Sequence, residues 1–455
     1  MKKRLIATLL VATMGLSLMT ACGSEETTEA TATTEETAEE AETETVDSIV
    51  SEPTELTFIF ADGDEGAKES ITKIVDDFNA TYEDITVTIE PGNGGTYSEF
   101  LKTKDSVGEF PDIMEMRDTA TYVRAGKLAP LSDEIVSLFT SVTEYDGEVY
   151  TAPMSGENTD GIIYNKKYFE ENGLEEPQTY EEFLELCQTI EDLGDMAPII
   201  VGGEDLWHMG FWFHKAYADQ VLSEDEDFIT HCYEGTADFS DEKFVATFEE
   251  LQDIMQYAQD GWASTPDAQI TTFLVNDMGA MIYSGTHMFS TIEEADPDFE
   301  YGWFAIPSPD GKTRLVGGGG STGLAISAEA AQDPNKLAAG EAFIKFFFAK
   351  ENYKNYLETL SFMPTTVDQP ELEVSDVYQE VIDAVNSADY LSPMWNGFTG
   401  TNELPPDFRN FTYKTLIEVL QGTRDIDSAV EEINKTWNTS IESFNPVTGV
   451  GITAE

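Results

Sequence analysis

The chain has 455 residues, of which 88 are acidic and 24 are basic, so its formal net charge at pH 7 is −64. A charge of this size excludes nucleic acid and anionic lipid headgroups as docking partners, because both are negatively charged themselves. It is mainly a statement about solubility and does not identify a cationic ligand. About 400 residues follow the low-complexity N-terminal part, which is too many for one small core and predicts two lobes.

The N-terminal residues carry a secretion pattern. A basic start precedes an apolar run at residues 5–18, which is too short to span a bilayer as a mature helix. The run ends in small residues directly before Cys22, and this ending resembles a bacterial lipobox. The resemblance implies a signal peptide at residues 1–21 and a diacylglyceryl thioether on Cys22. The alternative is an ordinary secretory signal followed by a chance cysteine.

Residues 22–53 form a second compositional region, which is acidic and rich in Thr, Glu and Ala. A segment with so few large apolar side chains cannot bury enough surface to offset the entropy lost on ordering. We therefore expect a disordered tether that lets the folded body reach away from a lipid anchor. The alternative is low complexity without a role.

The elements after the tether alternate between strands and helices. Strand patterns at 55–60, 85–89 and 112–116 are separated by helical apolar spacing at 71–78 and 97–103. This alternation predicts a parallel α/β layout. Ligands bind outside the carboxyl ends of the strands in such sheets, so polar and aromatic residues in those loops are candidate contacts.

The rest of the chain continues the mixed pattern. Further strands are predicted at 161–166, 199–201, 280–283, 301–306 and 323–326, and helices at 244–257, 336–360 and over most of 377–444. Asp146 and Gly147 predict a hairpin turn, and Thr179 with Glu182 has the spacing of a capping box at a helix start. The glycine-rich stretch at 317–320 lacks the lysine of a phosphate loop, so we interpret it as a close backbone passage near the cleft.

Several stretches occur in the order and spacing of a known family. They are Phe110-Pro111-Asp112-Ile113-Met114 with 126–131, then 146–153, Tyr164-Asn165-Lys166, 177–183, 273–285, 303–307 and 317–326. Together they resemble the family-1 extracellular solute-binding proteins of ABC importers, a group that includes the maltose-type sugar receptors. The resemblance implies an α/β, two-lobe class II periplasmic-binding-protein fold with hinge crossovers and a ligand cleft between the lobes.

The resemblance also implies how the chain divides and what it does. Lobe one would hold residues 54–158 plus 308–362, and lobe two would hold residues 159–307 plus 363–455. The lobes would close over a sugar or oligosaccharide and deliver it to the transmembrane subunits of an ABC permease. The implied protein is a monomer, lipid-anchored on the extracytoplasmic face of the cell membrane, and it has no enzymatic activity, cofactor, metal or nucleic-acid partner.

A sugar presents apolar C–H faces and a ring of hydroxyls, which proteins meet with aromatic rings and with charged or amide side chains. Residues of these types at the strand ends, the crossover and the loops are Asp62, Asp64, Tyr97, Arg117, Asp118, Glu157, Asn158, Glu204, Asp205, Trp207, His287 and Trp395. Matching with maltose-type receptors places Asp62, Asn158, His287 and Trp395 near the family's contact positions. His287 stands where those receptors often carry Trp, and Asn158 where some carry an acid, so the ligand can differ from theirs.

Other aromatic and thiol side chains are assigned to the core. Trp212 and Phe213 lie in a crowded aromatic segment and Trp303 lies in a predicted strand, so we expect all three to be buried. Cys187 lies in an apolar helical pattern and is expected to be a buried free thiol. Whether it pairs with Cys232 stays open, because a disulfide cannot be assigned from the sequence.

Other functions fit parts of the pattern. A binding protein for a polyamine, a peptide or another nitrogenous solute could place the candidate acids around aromatic faces, although Arg117 in the same set counts against it. A surface glycoside hydrolase would need two carboxylates about 5 to 9 Å apart across one bond, and the sequence carries no hydrolase-like motif. A structural or adhesive role without a ligand is the remaining possibility.

Overall fold

The computed structural model describes residues 48–63, 65–90, 97–156, 159–317, 322–442, 444 and 450–454. The predicted signal peptide, Cys22 and most of the tether lie outside these residues. The candidate ligand contacts Asp64, Glu157 and Asn158 and most of the glycine-rich loop also lie outside them. All other candidate contacts can be located.

Strands and helices follow one another along the described residues. The strands are β1 (Thr54–Ile59), β2 (Ile85–Ile89), β3 (Ile113–Met116), β4 (Ser141–Tyr145), β5 (Glu148–Val149), β6 (Ala152–Pro153), β7 (Gly161–Asn165), β8 (Ala197–Ile200), β9 (Gly279–Ser284), β10 (Tyr301–Phe304), β11 (Arg314–Gly317), β12 (Gly323–Ile326), β13 (Tyr390–Pro393) and β14 (Val450–Ala454). The helices are α1 (Glu65–Thr81), α2 (Tyr97–Ser106), α3 (Thr119–Arg124), α4 (Asp133–Val136), α5 (Lys166–Asn172), α6 (Tyr180–Leu193), α7 (Leu206–Tyr217), α8 (Phe228–Glu234), α9 (Glu242–Met255), α10 (Asp267–Val275), α11 (Met288–Ala295), α12 (Pro334–Phe347), α13 (Lys350–Leu360), α14 (Asp376–Ser387), α15 (Pro406–Leu420) and α16 (Ile426–Ser440).

The first lobe is built on a five-stranded sheet with the order β2-β1-β3-β12-β6. β1 pairs in parallel with both β2 and β3, as the alternating pattern predicted, whereas β12 runs antiparallel to β3 and β6. The Phe343 ring of α12 packs against Phe58 of β1 and Phe78 of α1, with centroid distances of 5.2 and 5.3 Å. The carboxyl ends of β1 and β3 therefore lie side by side at one edge of this sheet.

The second lobe is built on a four-stranded sheet with the order β10-β7-β9-β8. β7 runs antiparallel to β9 and β10, and β8 runs parallel to β9, so β8, β9 and β10 end at the edge where β7 begins. Trp212, Phe213 and Trp303 are buried in this lobe, as predicted. Gly161 is required where β7 passes Trp303, because a Cβ there would lie 2.3 Å from the indole ring.

Backbone hydrogen bonds hold together the segments that cross between the lobes. Gly156 N–H donates to the Met363 carbonyl oxygen (2.7 Å), and Asp160 N–H donates to that of Val316 (2.8 Å). β6 ends at the same edge as β1 and β3, because it runs antiparallel to β12. The first crossing then enters β7 at the edge where β8, β9 and β10 end. The crossings therefore join the two sheet edges that carry the candidate contacts.

Two further strand pairs join parts of the chain that the sequence assigned to different lobes. β11 pairs in parallel with β13, and Val316 packs in the core of the second lobe, although residues 308–362 were expected in lobe one. β14 pairs antiparallel with β4, although residues 363–455 were expected in lobe two. The strand pairing thus places β11 with the second lobe and β14 beside the first.

Several local predictions are confirmed by the backbone. Thr179 and Glu182 form both hydrogen bonds of a capping box at the start of α6. Asp146 and Gly147 have φ angles of 55° and 84°, the pair of left-handed conformations that a tight hairpin between β4 and β5 requires. These features depend only on neighbouring residues, which is why the sequence could predict them.

Cys187 and Cys232 are both free thiols in the core of the second lobe. Burial raises the pKa of Cys232 to about 12 and also raises the pKa of Cys187. Both thiols are therefore protonated at neutral pH and act as small apolar core side chains. The prediction of a buried free thiol at Cys187 is confirmed.

Candidate functional site

The first sheet edge is organised by the buried carboxylate of Glu115 on β3. Its Oε2 accepts a hydrogen bond from Ala61 N–H at the end of β1 (2.9 Å), and its Oε1 accepts one from Arg117 Nε (2.6 Å). The Tyr97 hydroxyl donates to the carbonyl oxygen of the same residue. One acid therefore fixes both the loop that carries Asp62 and the side chain of Arg117.

Arg117 presents a cation at this edge. Its side chain is 46% exposed, and its guanidinium lies 5.5 Å from the centre of the Tyr97 ring. Desolvation by the surrounding protein would lower the pKa of Arg117, but the charge and hydrogen bond of Glu115 outweigh it and raise the pKa overall. A side chain that is both accessible and surrounded by protein lies on a concave surface. Within the described part of the chain its only acceptor is Glu115, so its terminal NH₂ groups can donate to a bound molecule.

Asp118 follows Arg117 and precedes α3. Its carboxylate accepts a hydrogen bond from Ser98 Oγ (3.2 Å) and makes no capping bond to the helix. Its other oxygen lies 3.5 Å from Arg409 Nη2 of α15. The candidate side chains of the first strand ends are thus grouped at one edge, and one of them already contacts the second lobe.

The second sheet edge carries an exposed aromatic group. Trp207 lies in the first turn of α7, which follows β8, and it is 42% exposed. Its ring packs edge-on against Phe211 at a centroid distance of 5.3 Å, and the Phe211 ring lies 6.5 Å from that of His287, which follows β9. Because β8 and β9 end at the same edge, these three rings share one surface.

Glu204 and Asp205 occupy the loop between β8 and α7, and they differ in their contacts. Glu204 is exposed to solvent. Asp205 accepts a hydrogen bond from Asp267 N–H (2.8 Å) and so ties this loop to the start of α10. His208 Nδ1 lies 2.8 Å from Asp267 Oδ1. The His208 ring packs edge-on against that of Trp207, with centroids 5.9 Å apart. Asp205 thus supports the loop, whereas Glu204 can reach a ligand.

The chain from residue 62 to residue 354 matches the family described as bacterial extracellular solute-binding protein. The match spans more than half of the chain and includes both sheet edges. The chain belongs to this family. Its members are binding proteins and not enzymes, which removes the surface glycoside hydrolase from the alternatives.

This solute-binding protein is similar to several bacterial proteins. It is 24% identical to the multiple sugar-binding protein of Streptococcus mutans, over 64% of this chain and 70% of that protein. It is 28% identical to the diacetylchitobiose binding protein DasA of Streptomyces coelicolor, over 55% of this chain and 60% of that protein. The solved structure of a chitin oligosaccharide binding protein matches with a TM-score of 0.73 and 21% identity, over 86% of this chain and 99% of that one. The likeness confirms the two-lobe α/β fold.

Trp395 lies in the core of the solute-binding protein, which corrects the expectation that it is an open loop contact. It is 1% exposed, and its ring lies 4.6 Å from Phe213 and 5.3 Å from Tyr217 between centroids. Its backbone N–H donates to His214 Nε2 (3.0 Å). The flanking residues suggested an exposed loop, but the ring turns inward because helices distant in sequence provide an aromatic pocket for it.

Glu115 and Asp160 were not singled out by the sequence analysis. The Asp160 carboxyl group lies where the first crossing enters β7, and one of its oxygens has no hydrogen-bond partner among the described residues. Burial raises the pKa of Asp160 well above its usual range. A Cβ on Gly285 would lie 3.1 Å from Asp160 Oδ1 and 2.9 Å from His287 Nδ1, so a glycine lets both groups approach one point. The sequence could have indicated both residues, because Glu115 is an acid within an apolar strand and Asp160 is an acid directly before one.

None of the helices in the described part of the solute-binding protein could cross a bilayer. The candidates Asp62, Tyr97, Arg117 and Asp118 lie at the first edge, and Glu204, Asp205, Trp207 and His287 lie at the second. The crossings connect these two groups. The arrangement offers aromatic surface on one side and charged donors and acceptors on the other.

Proposed function

We propose that this protein captures a carbohydrate between the two sheet edges and delivers it to the membrane subunits of an ABC importer. The observation that carries the proposal is the half-exposed Trp207 beside Phe211 and His287. An exposed indole in a ring cluster suits the apolar face of a sugar, which stacks on aromatic side chains. The names of the similar proteins, which bind multiple sugars, diacetylchitobiose and chitin oligosaccharides, support the same class of ligand.

The charges at the two edges favour a neutral sugar over a polyamine. Glu115 is already paired with Arg117, and Asp118 lies 3.5 Å from Arg409. Arg117 itself would repel an ammonium group while donating hydrogen bonds to hydroxyl or carbonyl oxygens. A polyamine would require several unpaired acids around an aromatic face, and these two acids have cationic partners.

The test is a binding assay on Trp207→Ala. We expect isothermal titration against a panel of chitin, galactosyl-sucrose and maltose oligosaccharides to find a ligand for the parent protein. The variant should bind it at least tenfold more weakly, because a central aromatic contact contributes about 2 kcal/mol. The matched control is Leu193→Ala at the end of α6, which is 47% exposed and lies at the opposite edge of the second sheet. It should bind like the parent.

Two results would reject the carbohydrate proposal. One is a panel in which no saccharide raises the unfolding temperature, since any ligand that binds the folded state alone must stabilise it. The other is an affinity in Trp207→Ala equal to that of Leu193→Ala. A stabilising effect of polyamines in the same assay would favour the nitrogenous-solute alternative.

We also propose a lipid anchor on Cys22, followed by the acidic tether at residues 22–53. The lipobox-like sequence supports the anchor, and the extracellular family supports export. Cys22→Ser should move the protein from the membrane fraction to the medium or periplasm, because the acyl chains of the thioether supply the membrane affinity. Fractionation followed by detection of the body measures this, and equal membrane association in both forms would contradict the anchor.

Lobe closure about the crossings is the proposed mode of capture. We propose that the hinge lies where the described ends of the crossings bond to one another, at Gly156 with Met363 and at Asp160 with Val316. The side chains at the two edges then meet the ligand from opposite sides, and only contacts that are stronger in the closed state drive closure. The protein is proposed to act as a monomer outside the cell.

A further inference from the structure

Helix α3 of the first lobe is tied to the second lobe at both of its ends. At its start, Asp118 Oδ1 lies 3.5 Å from Arg409 Nη2. At its end, Arg124 Nη2 donates to Glu403 Oε1. Arg409 lies on α15, which packs in the core of the second lobe, and Glu403 lies in the loop before α15. Two ion pairs therefore bridge the lobes through one short helix.

The Glu403 carboxylate is held firmly on its own lobe and projects toward the other. The Tyr233 hydroxyl donates to the Glu403 carbonyl oxygen (2.8 Å), and the Tyr233 ring packs 4.7 Å from that of Trp437. The side chain is only 8% exposed. Burial and the negative charge of Glu403 raise the pKa of Tyr145 on β4 to about 12, which places that charge next to the first lobe. A carboxylate so well buried is strongly destabilised when its cation leaves.

The same face carries further contacts between the lobes. The Arg124 guanidinium lies 4.7 Å from the centre of the Phe444 ring, which follows α16 of the second lobe. Beyond it, β14 pairs with β4 of the first lobe from Val450 to Ala454. The C-terminal part of the chain therefore returns to the first lobe beside α3 and restrains the same movement.

We propose that α3 and its two ion pairs form an interlobe latch that favours the closed arrangement of the lobes before any ligand binds. Opening that moves α3 away from α15 must separate both pairs and expose Glu403. The latch lies next to Arg117, so a ligand held there adds its contacts to the same closed state. A larger closed fraction raises the apparent affinity in proportion, because only that fraction is competent to hold the ligand.

The test measures lobe separation without a ligand and so does not depend on the carbohydrate proposal. Spin labels on Val107→Cys in the first lobe and Met278→Cys in the second lobe occupy exposed positions. Cys187 and Cys232 are buried, and Cys22 is replaced by Ser in every labelled form. Pulsed electron paramagnetic resonance on the parent should give mainly the shorter of the two interlobe distances that the closed and open arrangements produce. Arg124→Gln and Glu403→Gln should each lower the closed-to-open ratio by about fivefold or more.

Two controls separate the latch from general loss of charge. Arg424→Gln breaks pairs with Glu418 and Glu432 inside one lobe and should leave the distances unchanged. Exchanging the charges in the double variant Arg124→Glu, Glu403→Arg should restore most of the closed fraction. Should either single variant lose its near-ultraviolet circular dichroism, Arg409→Gln gives the same reading from the other end of α3. Unchanged distances in the folded variants at both ends would overturn the latch.

Discussion

Trp395→Ala is expected to lower the free energy of unfolding by about 3–5 kcal/mol, since it removes a large buried ring and leaves a cavity. Besides Phe213 and Tyr217, the indole packs beside Phe408 and Tyr413, each with centroids 6.2 Å away. Its backbone N–H donates to His214, whose pKa is lowered well below its usual value by burial and by the charge of Arg409, so the imidazole stays neutral and accepts. Urea unfolding followed by circular dichroism measures the loss.

The matched comparison is the same substitution at a tryptophan on the surface. Trp207→Ala should lower the free energy of unfolding by only about 1 kcal/mol, because its half-exposed ring packs at the surface against Phe211 and His208 and its removal leaves no closed cavity. It should still weaken sugar binding, whereas Trp395→Ala should weaken binding only as far as it unfolds the protein. An unfolding midpoint of Trp395→Ala equal to that of the parent would contradict its place in the core.

Glu250→Gln is expected to remove most of a pH dependence of stability between about pH 5 and pH 8. Glu250 is buried on α9, and burial together with the charge of Asp219 raises its pKa from 4.5 to about 8. Gln220 Nε2 donates to one of its oxygens (2.8 Å), while Asp219 is paired with Lys215 and accepts from Ser308 Oγ. The carboxyl group is therefore held in its neutral form by its surroundings.

The direction of the effect follows from proton binding. Between the unfolded pKa and the raised folded pKa, the folded state holds a proton that the unfolded state has released, so stability falls as pH rises. The stabilisation is complete below about pH 4.5 and lost above about pH 8. Since one pKa unit corresponds to about 1.4 kcal/mol, the loss is on the order of 5 kcal/mol.

The free energy of unfolding is measured against pH for the parent and for Glu250→Gln, and the difference between the two curves gives the contribution of Glu250. Asp160 also has a pKa raised by burial and contributes to the slope in both proteins, and His214 acts in both on the acid side. Chemical unfolding at several pH values should show that the two proteins are similar near pH 5 and that the variant is the more stable near pH 9. Parallel curves over this range would show that Glu250 ionises freely in the folded protein.

Features that depend on neighbouring residues could be predicted from the sequence. The alternation of strands and helices gave the parallel order of β1, β2 and β3, and the Thr179–Glu182 spacing gave the capping box. The positions of the strand ends grouped Asp62 with Arg117 and Asp118, because the carboxyl ends of the parallel strands β1 and β3 lie at one edge. Aromatic crowding at Trp212 and Phe213 correctly indicated the core. Local geometry and apolar periodicity involve only a few neighbouring residues, so they can be recognised in the sequence without the tertiary structure.

Only the tertiary structure decided which side chains are buried by distant elements. Trp395 lies in a loop by its local sequence, yet its pocket combines α15, which follows it, with α7, which lies far earlier in the chain. Glu115 gained its role because β1 brought Ala61 beside β3, and Arg124 meets Glu403 across the lobes. These contacts depend on the strand order and on how the lobes pack together, which are set by the burial of entire faces of helices and sheets. The free energy gained from that burial is distributed over the fold, so no short stretch of sequence predicts it.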